Sequence, residues 1–201
     1  MQSSRVDIAE DGAEWSVVSD GHEWRAGWYP PPDPPPGTGH GSAGVCLVQD
    51  HIVLVTGDGS RWGLPGGRPE PGADWYVTLR REVEEEACAT VVDARLLGYS
   101  RGACLQGPEP GVVLVRSHWL AQVTLDPWQP WFEMTALQLV PASEVLARMW
   151  IADGFAPLYH RMFAEAALAT GWRRPLAGDR RRPDSGREGT HVVRVTPQHH
   201  V

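Results

Sequence analysis

The sequence predicts an α/β or α+β sandwich, and three observations carry that reading. Short β-branched, apolar runs recur between Val45 and Val140. Three helical stretches lie among and after them. The set fits into about 130 residues, the size of one ordinary domain, within a chain of 201. Taken in order, residues 1–12 read as a loose tail. Trp15, Val17 and Val18, the turn pair Asp20-Gly21, and Trp24 to Tyr29 read as a β-hairpin. Pro30 to Pro36 holds six prolines in seven positions and reads as a stiff extended linker. A docking ligand for a proline-binding module is the rarer alternative. Val45 to Gln49 and Ile52 to Thr56 flank Asp50-His51 and predict a hairpin or one bent strand. Trp62 to Gly67 is a Gly/Pro loop, and Asp74 to Cys88 predicts a helix. Val91 to Arg101 and Val112 to Leu125 predict strands, the second alternating along Val113, Val115, Ser117, Trp119 and Ala121. Glu133 to Val140 predicts another strand. Ser143 to Trp150 and Phe155 to Thr170 predict helices, with Ser143 as N-cap and Gly171 as C-terminal stop. Residues 1–40 are thus an N-terminal extension, 41–171 the domain, and 172–201 an Arg-rich tail expected to be disordered.

Charge is unevenly spread. Residues 1–37 hold seven acids against two arginines, residues 38–170 fifteen against nine, and residues 171–201 three against seven, for a net −7. An acidic central domain is a poor partner for duplex nucleic acid. All eighteen cations are arginine and none is lysine, so any phosphate must be met by Arg, backbone amides or a metal ion. No run approaches eighteen apolar residues, so no membrane span is expected. The first thirty residues hold acids and no apolar h-region, unlike a secretory signal. Cys46, Cys88 and Cys104 are odd in number and lack metal spacing, which predicts a reduced, cytoplasmic compartment. A homodimer is left open.

The chemistry concentrates between Gly66 and Cys88. With Leu79 set at 0° on the helix, Val83, Tyr76 and Ala87 fall within about 80°, an apolar stripe able to pack on a sheet. Glu82, Glu85 and Glu86 share an arc of about 100° beside that stripe, while Glu84 points elsewhere. Like charges so placed repel by a few tenths of a kcal/mol, roughly, on an isolated helix. A cation among them removes that penalty, and hard oxygen ligands suit Mg2+ or Mn2+. Arg81, four residues before Glu85, is placed to lock one carboxylate by an ion pair. Alone, the pattern also fits a solvated acidic helix face.

The glycine loop, Glu70 and the run Arg81-Glu82-Val83-Glu84-Glu85-Glu86 together resemble the Nudix box, G-x5-E-x7-R-E-U-x-E-E-x-G-U. Counted from Gly67, Arg81, Glu82, Val83, Glu85 and Glu86 stand at the required places, and Trp62-Gly63-Leu64-Pro65-Gly66 resembles the usual approach to the box. Ala73 replaces the loop glutamate, with Asp74 adjacent, and Cys88 and Ala89 replace the late glycine and aliphatic. A left-handed Cys88 would cost about 1–2 kcal/mol, so a different helix end is expected there, with the thiol as a small buried apolar group.

The resemblance implies an α/β fold, a Nudix-like α/β/α sandwich with a mixed β-sheet. It also implies a Mg2+-dependent, or Mn2+-dependent, hydrolase of a small-molecule diphosphate. Glu82, Glu85 and Glu86 match the family's metal-ligating and base-providing glutamates, and Arg81 the arginine that orients them. The Gly66 carbonyl matches a loop position that completes metal coordination. Glu133, opening the strand before Leu139-Val140-Pro141, matches a place where members carry a further acid; Glu109 is its rival. Arg68, Arg101 and Arg116 are phosphate-contact candidates or ordinary surface residues. The substrate signatures of ADP-ribose, dinucleoside polyphosphate, coenzyme A and NADH members are absent. Trp119, Trp128 and Trp131 are the tryptophans expected nearest the pocket. A catalytically weak ligand-binding module and a diphosphate-ester isomerase of the same fold are the competing functions.

Overall fold

The computed structural model describes residues 7–129, 133–171 and 192–194. In chain order the elements are β1 (Glu14–Ser19), β2 (His22–Tyr29), β3 (Thr38–Val48), β4 (His51–Thr56), β5 (Gly66–Gly67), α1 (Trp75–Ala87), β6 (Ala89–Gln106), β7 (Val113–Leu125), β8 (Ala136–Pro141), α2 (Val145–Arg148), α3 (Ala156–Thr170) and β9 (Val192–Arg194). One sheet takes all described strands in the order β1-β2-β6-β7-β3-β4-β8-β9, with β5 joined to β3. Strands β3 and β7 run parallel and the other described pairs antiparallel, so the sheet is mixed. Each face buries its own cluster. Leu79, Val83 and Ala87 of α1 pack with Cys46, Val53 and Ala121 on one side. Leu158, Met162 and Phe163 of α3 pack with Trp28, Val45 and Leu54 on the other. This is the expected α/β/α sandwich. No described helix is long and apolar enough to cross a membrane.

Helix α1 forms where its ends and stripe dictate. Asp74 caps it by accepting from the Val77 amide at 2.7 Å. Leu79 and Val83 are fully buried, each removal from water contributing about 1.5–3 kcal/mol. Tyr76, placed by periodicity on the apolar stripe, is instead exposed and tilts against the Trp119 ring. A polar chain fastens the helix start to the sheet. Trp119 Nε1 donates to Ser117 Oγ (2.9 Å), Ser117 meets Ser42 Oγ (2.7 Å), and Ser42 donates to the Trp75 carbonyl (2.8 Å).

Cys88 does adopt the left-handed conformation that the sequence argued against, with φ 47° and ψ 52°. Its surroundings offset the strain. Its amide donates to the Glu84 carbonyl (3.1 Å), its carbonyl accepts from Asp126 N (2.8 Å), and its Sγ meets the Gln129 carbonyl at 3.3 Å. The thiol is half-buried rather than buried.

The N-terminal segments are less separate than expected. The β1–β2 hairpin is present and continues the sheet through β2–β6 pairing. The proline segment lies against β6: Tyr99 Oη donates to the Pro32 carbonyl (3.1 Å) and Arg101 Nε to the Pro36 carbonyl (3.2 Å). Residues 7–12 are no loose tail. Ala9 is buried, its amide donates to the Pro157 carbonyl (3.1 Å), and Asp11 pairs with Arg161 at 2.7 Å. Deleting residues 1–12 therefore lowers Tm by several degrees. Lost bonds and burial worth about 1–3 kcal/mol correspond to roughly 2–4 °C each kcal/mol in a chain this size. Calorimetry showing an unchanged Tm would make that packing energetically empty.

Three further boundaries move. Strand β8 begins at Ala136, so Glu133 precedes it rather than opening it. Helix α2 is a single turn with Glu144, not Ser143, at its N-cap, because the chain leaves helix at Met149 to let Trp150 N bond the Trp62 carbonyl (2.9 Å). In the tail expected to be disordered, Val192–Arg194 pair antiparallel with β8. The rest of residues 172–201 lies outside the described residues.

Candidate active site

The box loop is held by backbone on one side and by carboxylates on the other. Gly66 and Gly67 pair with Ala43 and Ser42 of β3, and Gly44 N donates to the Pro65 carbonyl at 2.9 Å. The Gly66 amide donates to Glu86 Oε2 at 2.8 Å. A Cβ on Gly67 would fall inside the Glu82 carboxylate. The loop thus lies directly over the glutamates of α1, and any larger residue at position 67 must displace the Glu82 carboxylate.

Arg81 is the hub of the carboxylates. Its guanidinium donates to Glu85 Oε2, to Glu82 Oε1 and to the Arg68 carbonyl, each at 2.6 Å. Glu82 is buried, and burial raises its pKa against the pull of Arg81. Glu86 is pushed up to about 7, first by burial, then by Glu82 and Glu133, with the Gly66 amide and Arg116 opposing. In two of the helix carboxylates burial thus disfavours the ionised form.

That shift has a consequence for metal-free protein. Glu86 binds its proton more tightly folded than unfolded, so its ionisation works against folding. With metal chelated, Tm should fall as pH rises from the ordinary carboxyl range through about 7. The fall should flatten in Glu86→Gln, checked by thermal unfolding at a series of pH values.

Glu82, Glu85, Glu86 and Glu133 line one cavity of 530 Å³ with Gly67, Arg68 and Met134. Glu109 is not among its lining residues. Among the described residues no three His, Cys, Asp or Glu side chains stand in a ready metal-ligating arrangement. In this structure Glu82 and Glu85 are engaged by Arg81, and Glu86 by the loop amide.

Trp119 and Trp128 pack in the α1-side cluster, and Trp131 lies outside the described residues. A second, more aromatic cleft of 510 Å³ opens on the α3 side, lined in part by Trp24, Trp150, Phe155 and Tyr159. Its residues come from β1, β2, β3, β6, β7 and the α2–α3 region, which no local pattern joins. Of the strand arginines, Arg101 and Arg116 both line this cleft, Arg101 with its guanidinium already paired to Glu14.

Comparisons agree with this geometry. The NUDIX domain model matches residues 38–161. No curated protein matches the chain. Among solved structures, the pyrophosphohydrolase BsRppH of Bacillus subtilis is similar in fold at 16% identity and TM-score 0.58, covering 79% of this chain and 98% of its own. A NUDIX hydrolase from Nitrosomonas europaea is similar at 22% identity and TM-score 0.51, covering 70% and 94%. With the match spanning most of the sheet, α1 and the carboxylate cavity, the chain belongs to the Nudix hydrolase family.

Proposed function

We propose that the protein is a divalent-metal-dependent hydrolase of the diphosphate linkage in a nucleoside diphosphate derivative or related organic pyrophosphate. The observation that carries this reading is the meeting of four carboxylates, Glu82, Glu85, Glu86 and Glu133, at one cavity beside the glycine loop. The donor set fits a hard cation. It is all oxygen, and Arg81 pairs with only two of the four carboxylates, Glu82 and Glu85. Glu82, Glu85, Glu86 and the Gly66 carbonyl would hold Mg2+ or Mn2+. Such an ion supplies charge neutralisation at phosphoryl oxygens and a lowered pKa for the attacking water. Arg81 keeps Glu82 and Glu85 in register through its shared hydrogen bonds. Glu85 and Glu133 are the carboxylates placed to accept a proton from water at the cavity. Gly67 lets the loop approach the carboxylates closely enough to close the site around a diphosphate.

The likeness to BsRppH, described as a pyrophosphohydrolase, supports the fold of this reading. The test is a panel of nucleoside diphosphate compounds incubated with Mg2+ and with Mn2+, read by phosphate release and mass spectrometry. Metal-dependent hydrolysis of a panel member is the expected result. Saturable binding without product would assign a sensing module instead, and a product of unchanged mass an isomerase.

A further inference from the structure

Arg116 stands apart from the other described arginines. Arg81, Arg101, Arg148 and Arg161 have carboxylate partners, and Arg61 lies over the Trp150 ring at 4.8 Å. Arg25, Arg68, Arg80 and Arg95 carry exposed side chains. Arg116 is partly buried, yet among the described residues its guanidinium has no ion-pair or hydrogen-bond partner. A desolvated, unpaired charge is costly, and a fold keeps one where a ligand completes it. Its neighbours sharpen the deficit. Burial lowers the Arg116 pKa, and Tyr159, Glu82 and Glu86 only partly counter this while Arg68 adds to it. Burial, then Arg116 and Arg68, lower His40 as well. Neighbouring His118 is held neutral by burial, at about 3.

The position of Arg116 joins two spaces. A Cβ on Gly41 would lie 2.7 Å from Arg116 Nε and 2.8 Å from the Gly67 carbonyl, so the guanidinium stands beside the box loop. In the other direction Arg116 lines the 510 Å³ cleft and a smaller 170 Å³ cavity, which share it with His118, Trp150 and Tyr159. The far wall of the larger cleft is Asp20, His22 and Trp24 of the β1–β2 hairpin, which precedes residue 38, where the family match begins. A cleft of this volume suits one small organic group.

We propose that Arg116 is an anion-holding residue of the substrate site, receiving a phosphoryl group whose organic moiety lies in the cleft walled by the N-terminal hairpin. The proposal rests on the hydrolase reading above and adds to it a place and an orientation for the substrate. The diphosphate spans from the carboxylate cavity to Arg116, and the planar group lies between Trp24 and the α2–α3 segment. The hairpin is then a specificity element rather than a detached extension.

The test uses full-length protein saturated with Mg2+ and two probes, inorganic pyrophosphate and ADP, titrated by calorimetry. Arg116→Gln is expected to weaken both at least tenfold, as for loss of a charge-assisted contact. Its Tm should be equal or higher, because an uncompensated charge has been removed; a structural arginine would give the opposite. Arg116→Met, apolar and of similar length, keeps the test open should the Gln variant not fold. Trp24→Ala should weaken ADP several-fold and leave pyrophosphate unchanged. Unchanged pyrophosphate binding in both Arg116 variants, or no binding by wild type, overturns the anion site. Equal weakening of both probes in Trp24→Ala, or of neither, overturns the hairpin wall. The hydrolase reading fails separately, if wild type binds as expected yet turns over no diphosphate with either metal.

Discussion

Glu85→Gln should slow turnover by roughly a hundredfold or more while leaving the fold intact. Glu85 lines the carboxylate cavity and is held there by Arg81 at 2.6 Å. The substitution keeps shape and helix propensity and removes one anionic oxygen pair. Arg81 retains Glu82 and the Arg68 carbonyl, and a half-exposed pair contributes about 0–1 kcal/mol, so Tm should move little. Glu84→Gln is the control. Glu84 is exposed, one residue away, and absent from the lining of that cavity. Both variants should be compared on one identified substrate at saturating metal, with folding matched by circular dichroism. Equal losses, or none in either, would place the chemistry away from this face of α1.

The helix carrying that face was legible because its determinants are local. Asp74 caps the three or four residues directly after it, and Leu79, Val83 and Ala87 recur at helical spacing, so the carboxylate arc is set by the stripe. Tyr76 shares the stripe by spacing, yet it is exposed and tilted against the Trp119 ring, a placement that packing alone decides. The sheet's mixed character was legible from the family resemblance alone. Parallel pairing of Thr38–Val48 with Val113–Leu125 joins strands some seventy residues apart, and alternation within a strand carries no record of its neighbour's direction. Residues 7–12 looked loose for want of apolar content, yet one small residue, Ala9, is enough to seat the chain against Pro157. The left-handed turn at Cys88 is not legible locally, because the hydrogen bonds that offset its strain come from Asp126 and Gln129 beyond the end of β7. Arg116 is the sharpest case. Its type and strand position were visible, but its lack of a partner is a property of everything that surrounds it in space.

Adding one methyl group to each loop glycine should separate catalysis from folding. In Gly67→Ala the new Cβ meets the Glu82 carboxylate, the far end of a side chain. That end can swing aside, so the fold survives while Glu82 leaves its place on Arg81 and at the cavity. A displacement of about 1 Å at a reacting centre costs on the order of a hundredfold, and Gly67→Ala is expected to lose activity on that scale with a Tm drop of only a few degrees. In Gly66→Ala the Cβ instead meets the Ser42 carbonyl and Ala43 Cα, which are backbone of a central strand. Neither can move without breaking the β3–β5 pairing and the Gly66 bond to Glu86, so this variant should be destabilised by about 2–4 kcal/mol, the range of overpacked interiors. Urea unfolding and a turnover assay on both variants check the contrast. If Gly67→Ala unfolds as readily as Gly66→Ala, the Glu82 carboxylate is fixed by more than Arg81. If Gly67→Ala keeps full activity, the position of Glu82 beneath the loop has no part in the chemistry.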